Sequence, residues 1–578
     1  MTNKNTKVVM TPTLKGNVKT IKVERINSVD TKNIYFEAQG MNSGLIINKE
    51  DKNSKDDKVP QEMQLEFTCM MRNEINGDTY AENRRIKFWF IEGLKQMDKL
   101  DGSYEFFKEL INPAQFPKDY PMFVKKVMKQ LQMDRFSKLK RVDIDFITLN
   151  KQEQDALVPQ MRRAGMEEKP IELVVKENLQ ARLDEAYPNC LSMDDLVRIL
   201  NVKDNVIKPQ ITELLAKDVI EEVIVEGKGM GFRRKICYHN EDVKVVKETD
   251  QMQKIFKKEK PTVAIITNLL CEKLAVDAMM EEKTTFVKFE GESHVYTIGR
   301  IGDKKVISTK VAMVGRELKA RISSANTTTR LLGTFQDVQH VLIVGVGGSV
   351  PHMYEFDKHS RLGDIVVSYP NDDNSVYIFC ERLHINEENN DPNTISFEIK
   401  DFKIKDNTLQ NVIDDVLENF VNDPKSCEWQ RYMEEAKAEI QMSDINFSRP
   451  SADTDKLKLK VSDKVVFDMK HPEVPKELEH LYLPNQPAVR LGSIGSGRPV
   501  TDVDTFRDRF SKEHFLLAYD SEYDQVLDSI KGNGLGSFAL IRGIADYIDG
   551  STGGIWQPYA SLAAAAFMKA VIVRLKIE

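Results

Sequence analysis

Asp546 closes the apolar run FALIRGIA, 538–545. An apolar strand ending on a lone carboxylate is how an α/β sheet presents an acid at its carboxyl edge, where open sheets of this class bind ligands. A carboxyl group placed there can donate or accept a proton; it can equally cap the turn that follows. A second candidate is the glycine run Gly345, Gly347 and Gly348, which ends the apolar stretch HVLIV. The run lacks GxGxxG spacing and meets Pro351 where a helix should begin, so it is not a dinucleotide fingerprint. Glu272, just past the apolar run TVAIITNL, suits the first turn of a helix, where the macrodipole favours an acid. Glu522, in YDSEYD, reads by itself as a solvated residue.

Lys228, Arg233, Arg234 and Lys235 form a basic cluster at a glycine-rich tip. They suit contact with phosphate, and they equally suit a solvated hairpin. The cysteines at 69, 190, 237, 271, 380 and 427 include no CxxC pair, and His352 and His359 have no neighbouring ligand. That spacing excludes the usual zinc motifs and gives no disulfide framework, so no metal and no cofactor is expected. Reduced thiols point to an intracellular protein, cytoplasmic and able to be nuclear.

The elements that position these residues fall into several domains, because 578 residues are too many for one core. Residues 1–62, rich in Asn, Lys, Asp and Ser, read as a flexible arm, with a short strand near NIYFEAQ. Residues 63–165 alternate strand-like and helical patterns and form an α+β domain without legible chemistry. In its third segment Met122, Val124, Val127, Met128 and Leu131 fall on one helical face.

Residues 171–240 read as three helices and a hairpin, with Ser192 as the N-cap of the second helix. The pattern resembles a winged helix, whose third helix and wing would contact DNA. With ten Lys/Arg against twelve Asp/Glu, the segment is slightly acidic. Nucleic-acid binding is therefore expected to be weak, and a protein partner is the better fit. A charged linker, 241–261, follows. The net charge of −7 argues against a broad nucleic-acid surface, and no run approaches a membrane span.

From 262 to 578 strands and helices alternate as in a three-layer α/β domain, interrupted by an acidic insertion at 371–484. The segments VAIITNLLCEKLAVDAM, VLIVGVGGSVP, RLGDIVVS, GSIGSGRPVTDVDTFRDRF and IRGIADYIDG…WQPYASLAAAAF resemble the nucleoside phosphorylase superfamily. Purine nucleosidases, and the phosphorylase-like domains of fungal multidomain proteins, are the nearest in texture. The resemblance covers 262–370 and 485–578. It implies that Asp546 protonates the departing purine, that Glu272 activates water and that Glu522 holds the ribose hydroxyls. Gly345, Val346, Gly347 and Arg542 would line the site, with Val500 where a base-stacking aromatic often lies.

Two departures bear on the chemistry. Ile343 and Val346 stand where phosphorylases carry an Arg and a hydroxyl residue, and TNLLCEK replaces the phosphate loop. A phosphate dianion then has no cradle, which points to water as nucleophile. The expected activity is hydrolysis of a purine nucleoside or nucleotide, in a chain expected to form homo-oligomers. The alternative is a nucleoside sensor that engages a protein or nucleic-acid partner through the winged helix.

Overall fold

The computed structural model describes residues 7–15, 18–26, 34–38, 45–49, 59–72, 79–111, 120–149, 171–225, 229–236, 243–245, 260–288, 294–311, 318–385, 395–440, 444–462, 465–483 and 485–576. These form two compact units. The first holds 1–168, 352–356 and 456–473; the second holds 169–351, 357–455 and 474–578.

In the first unit the described strands make a sheet in the order Leu457–Ser462, Val465–Met469, Met63–Arg72, Thr79–Phe90, Leu139–Thr148, Val18–Ile26, Lys7–Lys15, Leu45–Asn48, Ile34–Glu37. Helices Gln96–Leu110 and Tyr120–Gln132 supply Phe106, Phe107, Phe123 and Val127 to its core. The expected flexible arm is corrected here, because much of 7–48 is strand. Ile21 and Val23 are fully buried opposite Ile144 and Val142, partners too distant in sequence for local composition to reveal. Met122 also departs from expectation. It is exposed, while Val124, Val127, Met128 and Leu131 are buried.

The second unit opens with helices Ile171–Ala186, Met193–Leu200 and Asp204–Ala216. Ser192 caps the middle one as expected: its Oγ accepts from Asp195 N at 3.2 Å. Strands Ile220–Val225 and Gly229–Arg234 pair antiparallel, and Leu191–Ser192 adds a short third strand. Leu179, Leu183, Leu196, Ile207, Leu214 and Phe232 fill a small core between them.

The described members of the basic cluster on this hairpin are paired with carboxylates of the same chain. Arg234 is buried; its Nε donates to Asp184 Oδ1 at 2.7 Å, its Nη1 to Val219 O at 2.6 Å, and it also pairs with Asp444. Arg233 Nε donates to Glu221 at 2.8 Å and Lys235 Nζ to Asp218 at 2.6 Å. Lys228 lies outside the described residues. Internal carboxylates thus take up these three charges, and the large apolar side chains exposed on the hairpin are Ile224 and Met230. The linker 241–261 lies mostly outside the described residues, apart from strand Val243–Val245.

The elements that build the α/β layer are labelled here in chain order: β1 (Val263–Thr267), α1 (Leu270–Asp277), β2 (Lys304–Lys310), α2 (Leu318–Thr334), β3 (His340–Ser349), β4 (Ile365–Ser368), β5 (Ser375–Ile385), β6 (Ile494–Ser496), β7 (Ala518–Tyr519), α3 (Asp524–Gly532), β8 (Phe538–Asp546) and α4 (Gln557–Arg574). β1 runs parallel to β2 and β3. β3 runs parallel to β8 from Val341 to Gly348, while its last two residues, Gly348 and Ser349, also pair antiparallel with β7, so the sheet forks at the glycines. One branch continues through β6 to β5 and the other through β4. α4 is buried along most of its length, which explains its alanines: small side chains let a helix lie close to the strands.

The insertion 371–484 is only partly an insertion. β5 and strand Ile395–Lys403 belong to this sheet, whereas Leu457–Ser462 and Val465–Met469 belong to the sheet of the first unit. Between them lie two helices, Thr408–Asn422 and Glu428–Glu439. Among the described residues no helix is long and apolar enough to cross a membrane.

The three-helix module is fastened to this layer by Lys310, at the end of β2. Its buried Nζ donates to Glu185 O at 2.7 Å, in the last turn of the first helix, and to Tyr187 O at 3.0 Å, just past it. Burial lowers the ammonium from its ordinary 10.5 to about 8, against the pull of Glu185 and Asp184. Between those values the unfolded chain binds a proton that the native chain does not, so this group makes stability rise with pH across that window. Lys310→Met, which keeps the aliphatic stem, is expected to flatten the rise. Denaturant unfolding followed from about pH 8 to 10 measures it.

Candidate functional site

Three acidic segments converge on residues 345–348 of β3. Glu272 sits in the first turn of α1, and its helical position turns it back under the end of β1. Its Oε2 accepts from Asn268 N at 2.7 Å and Leu269 N at 2.8 Å, and its Oε1 from Val346 N at 2.8 Å. The side chain is 2% exposed. Burial raises its pKa, opposed by those three N–H groups and the nearby Arg542 charge.

Gly345 is what allows the approach. A Cβ there would lie 2.3 Å from Glu272 Oε1, closer than any real contact. Gly345→Ala is therefore expected to push the carboxylate out of its seat and to suppress whatever chemistry depends on it. The check is a paired measurement of activity and melting temperature against a variant made elsewhere on β3.

Gly348 plays the same part for Asp546. The two face each other across β3 and β8, and a Cβ on Gly348 would come within 2.6 Å of Asp546 Oδ1. Asp546 Oδ1 accepts from Ile548 N at 2.9 Å, Asp549 N at 3.0 Å and Gly550 N at 2.7 Å. Its Oδ2 accepts from Thr552 N at 2.9 Å and Thr552 Oγ1 at 2.7 Å. Every neighbour is a donor, so in this conformation the side chain organises the loop 547–552.

Glu522 follows β7, whose Tyr519 also lies opposite Gly348. It is a non-glycine residue at φ 33, in the left-handed region, where strain accumulates at functional positions. Its N–H donates to Ser496 Oγ at 2.9 Å and its Oε1 accepts from Arg498 N at 3.1 Å.

Arg542 lies beneath these groups, opposite Gly345 on β8 and fully buried. Its Nη2 is 2.7 Å from Asp520 Oδ2, and the Tyr523 ring lies 4.3 Å from its Cζ. Burial works against its charge, yet Asp520, Tyr523 and Glu272 raise its pKa overall. Among the described residues its Nε and Nη1 have no hydrogen-bond partner. Two buried donors beside an acid are a site prepared for an acceptor.

Asp520 emerges as the counter-ion of Arg542, and Tyr377 OH donates to its Oδ1 at 2.7 Å. Asp520 and Glu522, two residues apart, thus have different partners.

Val346 contributes through its backbone, as the donor to Glu272. Val500 does not lie where a base could stack on it. It is fully buried in a cluster with Val350, Ile378, Cys380, Phe510 and Tyr519, so its packing partners are core residues. Ile343 is likewise fully buried. Arg321 of α2 was missed in the sequence. Its Nη2 donates to Asp524 Oδ2 at 2.6 Å, and its Nε lies 3.7 Å from Glu522 Oε2. Only the fold brings α2 to this edge.

No protein-family model matches the chain. A nucleotide-binding leucine-rich repeat (NLR)-like protein of Hyaloscypha variabilis is 25% identical over 317 residues, 54% of this chain and 28% of its own length. The chain thus spans less than a third of that relative. Solved structures similar over about half of the chain include a nucleosidase and a hydrolase. The 5′-methylthioadenosine/S-adenosylhomocysteine nucleosidase of Neisseria meningitidis is 13% identical, with 54% of this chain and 98% of that chain covered, at a TM-score of 0.32. The futalosine hydrolase of Helicobacter pylori is 14% identical, with 54% and 97% covered, at a TM-score of 0.31.

Proposed function

We propose that the site hydrolyses the N-glycosidic bond of a purine nucleoside or nucleotide. The observation that carries this is the meeting of Glu272 and Asp546, from separate segments, on residues 345–348, with the strand that leads to Glu522 paired to the same turn through Tyr519. Glu272 is the base: an oxygen seated between its carboxylate and the unpartnered N–H groups of Arg542 is held and polarised, and is the nucleophile. Glu522 takes sugar hydroxyls. Asp546 supplies the proton to the departing base, and to do so the 547–552 loop must release one of its oxygens.

Departing purine is a poor anion, so a positioned acid lowers the barrier. Buried Ile343 and Val346 offer no side-chain donor to a phosphate, which supports water as the attacking group. The test is release of free base from a panel of purine nucleosides and nucleotides, with and without phosphate. Release independent of phosphate, yielding free sugar, is expected; a strict phosphate requirement with a sugar 1-phosphate product overturns it.

A regulatory reading is favoured by one contact. Tyr187, just past the first helix of the three-helix module, packs with Leu270 of α1, two residues from Glu272. A protein partner that shifts the module would shift the turn that seats the base.

A further inference from the structure

Arg321 has a guanidinium with three different neighbours. Nη2 is fixed by Asp524, which is itself buried at the start of α3. The group lies over the Phe379 ring at 5.0 Å. Nε is buried and, among the described residues, has no hydrogen-bond partner. Glu522 Oε2 lies 3.7 Å from that orphan, beyond hydrogen-bond length. Oε1 of the same carboxylate is already engaged by Arg498 N.

A donor and an acceptor thus face one gap, each held from behind and neither reaching the other. An oxygen about 2.8 Å from both closes a triangle over it. The group that fits must accept from Nε–H and donate to Oε2 at once, which describes the O–H of a water or of a ligand hydroxyl that replaces it. An anionic oxygen cannot donate, and it would stand against the carboxylates of Glu522 and Asp524 with one guanidinium to offset them. An ammonium group cannot accept.

We infer that Arg321 is a specificity-determining residue: together with Glu522 it reads one hydroxyl of the sugar, so the site selects ribosides over the matching deoxyriboside. The inference rests on the proposed nucleoside site but not on turnover there. A site built to bond a hydroxyl rejects the analogue lacking it, because its own polar groups are then left unpaired.

The experiment compares adenosine, 2′-deoxyadenosine and 3′-deoxyadenosine by calorimetric titration of the full chain carrying Glu272→Gln, so that turnover does not deplete the ligand. Adenosine is expected to bind at least tenfold more tightly than one of the two deoxy ligands. Adding Arg321→Met should reduce that ratio to near one by weakening adenosine and sparing the deoxy ligand. Arg321→Gln, neutral and too short to span the gap, should do the same if the methionine variant fails to fold. An unchanged ratio in either variant, or no binding of adenosine to the parent, overturns the inference. Hydroxyl-dependent binding in a chain whose wild type releases no base would sink the hydrolytic reading and leave this one standing.

Discussion

Glu272→Gln is expected to lower base release by about two to four orders of magnitude, the usual worth of a positioned acid or base. The amide has the same shape but cannot take a proton from water. The substitution also disturbs the fold, and the two effects separate cleanly. Three backbone N–H groups point at the carboxylate, from Asn268, Leu269 and Val346. Glutamine brings one oxygen for them and turns an NH2 toward the rest, which leaves a buried donor facing a donor at about 1–3 kcal/mol.

If Glu272 served only to pin the turn, the folded fraction of the variant would keep full activity per molecule while its melting temperature fell. If it is the base, activity per folded molecule collapses whatever the stability does. Because burial holds its pKa above the ordinary glutamate range, the acidic limb of kcat/KM should also lie above about 4.3. The sign follows from the role: the base works ionised, so activity is lost as pH falls through the raised value.

How much of this was legible depends on the range over which each feature is determined. The glycine run, β1 and β8 are local patterns, continuous apolar runs with a turn signal, and they were readable. Glu272 and Asp546 each sit at the end of such a run, so their place at the sheet edge was readable as well. Arg234 was not. Its sequence neighbours describe a basic hairpin, and only the fold brings up Asp444, 210 residues away, to bury it. The same holds for Ile21 and Val23, whose partners lie on Leu139–Thr148. Val500 failed for a different reason. A resemblance can align a position, yet whether a short helix turns a residue to a ligand or to the core is set by packing, and here Phe510 and Tyr519 close over it. Arg321 carried no signal at all, since an arginine in a polar helix is ordinarily solvated.

Asp546→Asn is the second substitution with a large expected effect, and its structural consequence can be worked out from the five donors around the carboxyl group. The asparagine oxygen can keep the three backbone N–H groups of Ile548, Asp549 and Gly550. Its NH2 then faces Thr552 N, a donor against a donor, while the Thr552 hydroxyl can rotate to accept. One contact of five is lost outright, so the loop should loosen near Thr552 without unfolding. Hydrogen exchange at 548–552 reports that directly. Stability should fall by about 1 kcal/mol, the ordinary value of one such bond. If Asp546 does no more than this, base release should change little, because asparagine holds turns of this kind about as well as aspartate. If it delivers the proton, release falls by about two to four orders of magnitude with the loop still in place, since an amide cannot protonate a departing base. Substrates whose leaving group needs no proton then separate the roles further: a nucleoside with a strongly acidic nitrogen heterocycle should be cleaved by Asp546→Asn almost as fast as by the wild type. Equal slowing of both substrates would mean that the loop, not the acid, had been damaged.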